Sequence, residues 1–148
     1  MEQTHYQKPD WFTKNLFNPA VAGLTRMGVS VRGSRVLETK GRKTGEPRRN
    51  PVNPLKLNGV DYLVAPRGET GWVRNVRADD GRVVLILGNR REERKATEVP
   101  LDERVPIIRE YLKKWKSETG RFFGGVGPDS TDEQIAAIAG RHPVFRLN

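Results

Sequence analysis

Residues 35–75 read RVLETKGRKTGEPRRNPVNPLKLNGVDYLVAPRGETGWVRN, and this stretch decides the fold. Within it Asn58-Gly59 stands between two apolar-rich runs, Asn50–Leu57 and Val60–Ala65. An Asn-Gly pair accepts the positive φ angles of a two-residue turn, so the segment reads as a β-hairpin. Pro51 and Pro54 lie in the first run. Proline donates no hydrogen bond to a ladder, so that strand needs an edge, a bulge or a ligand beside it.

Upstream of the hairpin is a basic turn, Gly41-Arg42-Lys43-Thr44-Gly45-Glu46-Pro47-Arg48-Arg49. Gly41 and Gly45 permit positive φ and a close backbone approach, and successive N–H groups in such a turn form a concave anion site. Arg42, Lys43, Arg48 and Arg49 add cationic donors and Thr44 a hydroxyl, a set suited to phosphate or carboxylate. The glycine spacing fits neither a Walker A loop nor the GxGxxG dinucleotide fingerprint. Read alone, the turn is equally a solvated basic hairpin. Downstream, a Gly-flanked loop at Pro66–Gly71 leads into Trp72-Val73-Arg74-Asn75, read as the start of a short helix through Arg77.

The rest of the chain is arranged around this unit. Asp10 is placed to cap a helix from Trp11 to about Phe17, with Pro19 interrupting it and Ala20–Leu24 an apolar turn. Val29–Thr39 reads as one or two strands broken at Gly33-Ser34. Arg82–Leu87, the turn Gly88-Asn89 and the charged, alternating run Arg90–Val99 form a second hairpin with one solvated face. Pro100–Trp115 carries Val105, Ile108, Leu112 and Trp115 at helical spacing. Gly124–Asp129 is a loop, Ser130-x-x-Glu133 a capping box for a helix to about Ala139 with Gly140 at its end, and His142–Asn148 a last strand. About six strands in hairpins with peripheral helices imply an α+β antiparallel barrel; two-residue turns between the central strands disfavour a parallel sheet.

The 148 residues suit a single domain. The net charge is +9, and its excess is local: residues 26–49 hold eight Lys/Arg against Glu38 and Glu46. Such a field attracts polyanions. There are no cysteines, which excludes disulfides and thiolate chemistry, and only His5 and His142 are histidines, so no metal site is expected. No apolar run approaches a membrane span and no signal peptide is visible, so the cytoplasm is the expected location.

Taken together, Gly41-Arg42-Lys43-Thr44-Gly45-x-x-Arg48-x-x-Pro51, Tyr62-Leu63-Val64-Ala65 and Trp72-Val73-Arg74-Asn75-x-x-Ala78 resemble the deazaflavin-dependent nitroreductase family. The likeness runs from about Ser34 to the closing Arg141-His142-Pro143-Val144-Phe145-Arg146-Leu147. It implies a split β-barrel over residues 1–148, with 1–28 as an N-terminal helical extension. It further implies an oxidoreductase that transfers a hydride from reduced coenzyme F420, an 8-hydroxy-5-deazaflavin with an oligoglutamate tail, to a quinone, nitro compound or other conjugated acceptor. Carried over residue by residue, Arg42, Lys43, Thr44, Arg48 and Arg49 face the phosphate and tail. Asn50, Pro51, Val52, Asn53, Ala65, Pro66, Arg67, Trp72, Val73, Arg74 and Asn75 line the ring. Trp11, Phe122 and Phe123 are the expected substrate-pocket aromatics; Arg121-Phe122-Phe123 stands where family members often carry tyrosines. No side chain is expected to be catalytic, because the cofactor carries the hydride.

Two other functions compete. An FMN-binding split barrel also needs a phosphate site and a ring site, although the basic excess favours the longer anionic tail. A nucleic-acid-binding barrel fits the charge but lacks a series of aromatics interleaved with the basic run. The expected partner is a small-molecule acceptor and not nucleic acid. The chain is expected to be a monomer or homodimer, with peripheral membrane association left open.

Overall fold

The computed structural model describes residues 34–148. In chain order they form β1 (Arg35–Lys40), β2 (Pro47–Val52), β3 (Leu55–Leu57), β4 (Val60–Val64), α1 (Gly71–Ala78), β5 (Arg82–Leu87), β6 (Arg90–Glu98), α2 (Arg104–Thr119), α3 (Asp132–Ala139) and β7 (Val144–Leu147). Short 3-10 turns at Leu101–Glu103 and Gly120–Phe123 flank α2. The seven strands make one sheet in the order β2-β1-β5-β6-β7-β4-β3, with every pairing antiparallel. It is a curled half-barrel of split-barrel type. The expected helix at Trp11–Phe17, the Ala20–Leu24 turn, the 1–28 extension and Trp11 itself lie outside the described residues, as does the start of the Val29–Thr39 strand.

The expected single strand Asn50–Leu57 is two strands, β2 and β3, separated by Asn53-Pro54. The prolines explain this. Pro51 sits in β2 at one end of the sheet, where its missing N–H leaves no ladder bond unmade. Pro54 lies where the chain leaves that edge and enters β3 at the opposite end. The hairpin at Asn58-Gly59 is present, both residues having positive φ (52° and 78°). The capping box lies one residue later than expected: Thr131 accepts from the Gln134 amide, and the Gln134 side chain accepts from the Thr131 amide. Gly140 has ordinary right-handed geometry, φ −67°, so it supplies no left-handed cap.

Alternation along the strands divides the interior in two. Leu63 and Phe145 face the barrel side with Leu37, Val52, Val73, Val76, Val83 and Leu85. Their neighbours Val64 and Val144 face the other side, where Ile108, Tyr111, Leu112 and Trp115 of α2 pack against Ile135 of α3. Strands β4 and β7 are thus buried on both faces and separate the two clusters. On α2 the buried stripe runs through Ile107, Ile108, Tyr111, Leu112 and Trp115; Val105, expected on it, is only partly buried. Buried Arg104 ties the junction together, donating to the carbonyls of Val99 (2.9 Å) and Ala139 (3.1 Å) and pairing with Glu98. Trp115 anchors α2 to the β2–β3 break by donating from Nε1 to the Pro54 carbonyl at 3.1 Å. Helix α1 places Trp72, Val73 and Val76 in the barrel-side cluster, so it closes that side.

Candidate functional site

The basic turn is closed by its own backbone. The Gly41 amide donates to the Glu46 carbonyl (2.8 Å) and the Gly45 amide to the Gly41 carbonyl (2.7 Å), with Gly45 at φ 79°. A Cβ on Gly41 would sit 2.9 Å from the Glu46 carbonyl oxygen, which makes glycine a requirement of the closure. The Arg42 amide donates to Asn75 Oδ1 and the Glu46 amide to Thr44 Oγ1. The expectation of a concave site lined by free amides is therefore narrowed: four of these N–H groups are used internally, while those of Lys43 and Thr44 have no acceptor among the described residues. The turn also offers side-chain charge outward.

Those side chains divide by face. Across the β1–β2 ladder, Leu37 pairs with Asn50 and Thr39 with Arg48, and Leu37 and Thr39 are buried. Arg48 and Asn50 thus share the inward face of the sheet with Val52, and Arg49 and Pro51 share the outer one. Arg49 donates from Nε to Glu38 (3.0 Å), which also accepts from Arg91 (2.7 Å). These two guanidiniums hold the Glu38 carboxyl below its usual range. Arg42 donates from Nη1 to Asn75 Oδ1 at 2.8 Å and reaches the Gly71 carbonyl. Lys43 and Arg48 are exposed and have no ion-pair or hydrogen-bond partner among the described residues.

Asn75, expected at the ring, is buried and fully engaged: its Oδ1 holds Arg42 and its Nδ2 donates to Thr39 Oγ1 at 3.2 Å. It fastens the basic turn to the first turns of α1. Val52, Ala65, Trp72 and Val73 are buried in the barrel-side cluster, with Trp72 tilted against Phe145 at 5.8 Å between centroids. Any ring resting here would meet them as a floor. Asn53 accepts a hydrogen bond from Ser34 (2.9 Å) beside the β2–β3 break. Asn50, Pro51, Pro66, Arg67 and Arg74 remain partly accessible.

At the N-terminus of α1, Thr70 occupies the capping position with extended backbone, yet its side chain makes no capping bond. Its Oγ1 is buried without a partner among the described residues. A buried hydroxyl left unmatched costs about 1–3 kcal/mol, and the amides of a first helical turn attract negative charge. A ligand oxygen or ring heteroatom would satisfy both.

Next to this helix end is a cleft of about 480 Å³, walled by Pro66, Arg67, Arg74, Phe122, Arg141 and His142 among others. Phe122 forms part of the wall, and Phe123 is buried, stacked on the His142 ring at 4.2 Å. Since the Ala65 carbonyl can only accept, neutral His142 carries its proton on Nδ1 and donates there, at 3.1 Å. Burial pushes the imidazole below its ordinary pKa. The sequence places His142 far from the ring-side segments; β4–β7 pairing brings it beside them. Thr70, Arg121 and Arg141 were not among the expected site residues, although Arg121 and Arg141 fall in the stretches that carry the family likeness. Thr70 carried a local signal, as a capping-type residue directly before Gly71-Trp72.

The curled antiparallel half-barrel is a split-barrel fold, and it carries a cationic turn, a helix end with an unmatched buried hydroxyl and an adjoining cleft. The profile of the F420H(2)-dependent quinone reductase family matches residues 7–121, and the chain belongs to that family. It is an F420-dependent reductase, passing a hydride from reduced F420 to an electron-poor acceptor. Among solved structures, the fold is similar to one described as a domain-swapped dimer (22% identity, TM-score 0.55, covering 94% of this chain and 98% of that one). It is also similar to an F420-H2 dependent reductase (23%, TM-score 0.52, 82% and 100%). A conserved hypothetical protein from Mycobacterium tuberculosis is a third (17%, TM-score 0.53, 100% and 84%). No curated protein sequence matches significantly. Among the described residues, no helix is long and apolar enough to cross a membrane, and no cluster of acidic or histidine side chains is placed to hold a metal ion.

Proposed function

We propose that the phosphate and oligoglutamate tail of the cofactor lie along Lys43, Thr44 and Arg48, and that the ring lies toward the N-terminus of α1. Asn50, Pro51 and the Pro66–Arg67 backbone border it there, over the floor made by Trp72 and Ala65. The observation that carries this reading is the Arg42–Asn75 bridge, which seats the basic turn against the helix end where Thr70 Oγ1 lacks a partner. The residues present fit the group: free cations for a polyanionic tail, and an unmatched buried hydroxyl with first-turn amides for a polar ring edge. Arg49 acts from the outer face, through Glu38, as a support of β2.

When bound, the cofactor supplies the hydride. The chain's own work is positioning and shielding. Arg42 and Asn75 hold the turn, the buried aromatics set the floor, and Phe122 in the cleft wall screens the acceptor side. His142 has Nδ1 committed to Ala65 and one ring face covered by Phe123, so the proton that accompanies the hydride comes from solvent. Deuterium at the cofactor's hydride position should appear in the product and slow the chemical step. A His142→Ala variant that keeps cofactor affinity but loses all turnover would overturn this assignment.

Calorimetry with oligoglutamylated deazaflavin and with FMN tests the cofactor choice. Tighter binding of the deazaflavin is expected, since FMN has no tail to engage Lys43 and Arg48. Tight FMN binding with none for the deazaflavin would reverse it. Similarity to a chain described as a domain-swapped dimer supports a homodimer as the assembly, which sedimentation tests directly.

A further inference from the structure

The cleft beside α1 has an unusual charge balance. Arg67, Arg74, Arg121 and Arg141 line it, and Glu69 is the one acid among its walls. Several arginines elsewhere are matched by carboxylates: Arg77 by Glu98 and Glu69, Arg94 by Asp61 and Glu92, Arg104 by Glu98, and Arg109 by Asp132. Arg74, Arg121 and Arg141 have no carboxylate partner among the described residues. The acid within reach of the rim, Glu69, is engaged by Arg77 at 3.2 Å. Two of these cations lie against Phe122, the Arg121 guanidinium 4.8 Å and the Arg67 guanidinium 5.3 Å from its ring centroid. The cleft therefore combines a flat aromatic wall with a cationic rim.

With guanidiniums already against Phe122, a planar partner meets the ring edge-on or stacks on a guanidinium plane. A partly enclosed rim of one sign concentrates the opposite charge and strengthens its contacts. Guanidiniums match the oxygens of a carboxylate or sulfonate in two-point fashion. We propose that the cleft selects planar acceptors bearing an anionic substituent over neutral ones of the same ring system. This rests on the reading above that Phe122 in the cleft wall lies on the acceptor side of the cofactor ring, and places the acceptor in the cleft. The reduction itself is unchanged by the substituent: the acceptor gains one hydride from the reduced cofactor and one proton from solvent, two electrons in all. The carboxylate or sulfonate takes no part beyond binding.

The test uses two naphthoquinones, 2-methyl-1,4-naphthoquinone and 1,4-naphthoquinone-2-sulfonate. Steady-state kcat/KM is measured for each with the full-length protein and reduced deazaflavin. Binding of each to the protein saturated with oxidised deazaflavin is followed by calorimetry. The two quinones differ in intrinsic reactivity, so the quantity read is how their ratio changes. Raising ionic strength should erode the preference for the sulfonate, because screening acts on its contacts and not on the neutral ring. Arg121→Gln and Arg141→Gln should each lower the sulfonate-to-neutral ratio by up to roughly fivefold, the effect of one solvent-exposed ion pair. A ratio indifferent to salt and to both substitutions would overturn the proposal. So would variants that weaken deazaflavin affinity and leave the ratio alone, because the cofactor's anionic chain would then occupy the cleft. Selective sulfonate binding, lost in the variants, without turnover of either quinone would uphold the inference and sink the acceptor-reduction reading. Turnover of both with an unchanging ratio would do the reverse.

Discussion

The Oδ1 atom of Asn75 accepts two hydrogen bonds from Arg42, one from its guanidinium at 2.8 Å and one from its amide at 3.2 Å. With Nδ2 donating to Thr39, the buried carboxamide joins the basic turn, β1 and α1. Asn75→Ala removes all three bonds and leaves Thr39 and the Arg42 amide short of partners. It should destabilise the fold by about 2–3 kcal/mol, read from the urea midpoint. It should also weaken cofactor binding without any direct contact being lost. Asn75→Asp keeps the acceptor toward Arg42 and should recover most of both effects; equal loss in the two variants would refute the bridge as the cause.

Adjacent arginines should behave differently, because strand alternation sends them to opposite faces. Arg48→Ala should weaken deazaflavin binding by about 1.5–3 kcal/mol, the range for hydrogen bonds to charged groups, or roughly ten- to a hundredfold. Arg49 pairs with Glu38 on the outer face, so Arg49→Ala should change affinity by less than about threefold. Wild-type binding should be more salt-sensitive than that of Arg48→Ala. Titration calorimetry at two salt concentrations reads all of these effects, and equal losses from the two alanine variants would contradict the facing assigned here.

Burial holds His142 below the ordinary histidine pKa, so the unfolded chain binds its proton more readily than the folded one. The resulting stability is fully present above about pH 6.5, the usual histidine value, and is lost as pH falls from there through the folded-state pKa. His142→Gln should flatten the stability profile in that window. Glu38, Asp61 and Glu98 are all shifted below their usual carboxylate values, so their contributions fade only at more acidic pH. Denaturation midpoints between pH 7 and pH 5 for wild type and variant provide the check, and parallel profiles would count against it.

Gly81 follows α1 with φ 83°; its amide donates to the Val76 carbonyl at 2.9 Å and its carbonyl accepts from the Ala96 amide at 2.7 Å. A Cβ there would collide with the Ala96 carbonyl, which belongs to the β6 backbone and cannot turn aside. Gly81→Ala should therefore cost more than the ~1–2 kcal/mol of a left-handed residue alone. Gly59 has a similar φ of 78° with nothing within 4 Å of its Cβ position, so Gly59→Ala should cost only that conformational amount. Thermal melts of the two variants should rank in that order.

Several features were legible in the residues themselves. Asn58-Gly59 specified a hairpin because few other residue pairs tolerate its backbone angles, and Pro51 announced an edge strand because it has no N–H to give. The spacing of Gly41, Gly45 and Arg48 marked a cationic turn, and together with Trp72 and Asn75 it resembled a cofactor-binding family. These are local properties, set by what one or a few neighbouring residues allow.

Other features depend on which distant segments meet. Asn75 reads in sequence as a ring contact, but packing α1 against β1 turns its carboxamide toward Arg42 and Thr39. Arg48 and Arg49 look equivalent until the β1–β2 register assigns each a face. His142 comes beside Pro66 only because β7 pairs with β4, and the four arginines of the cleft converge from three separate loops and a helix. A side chain's partners are set by long-range burial and hydrogen-bond satisfaction, which sequence spacing does not encode. The residue types of the proposed site could therefore be read from the chain, but which of them pair with one another, lie buried or stay exposed was decided by the tertiary structure.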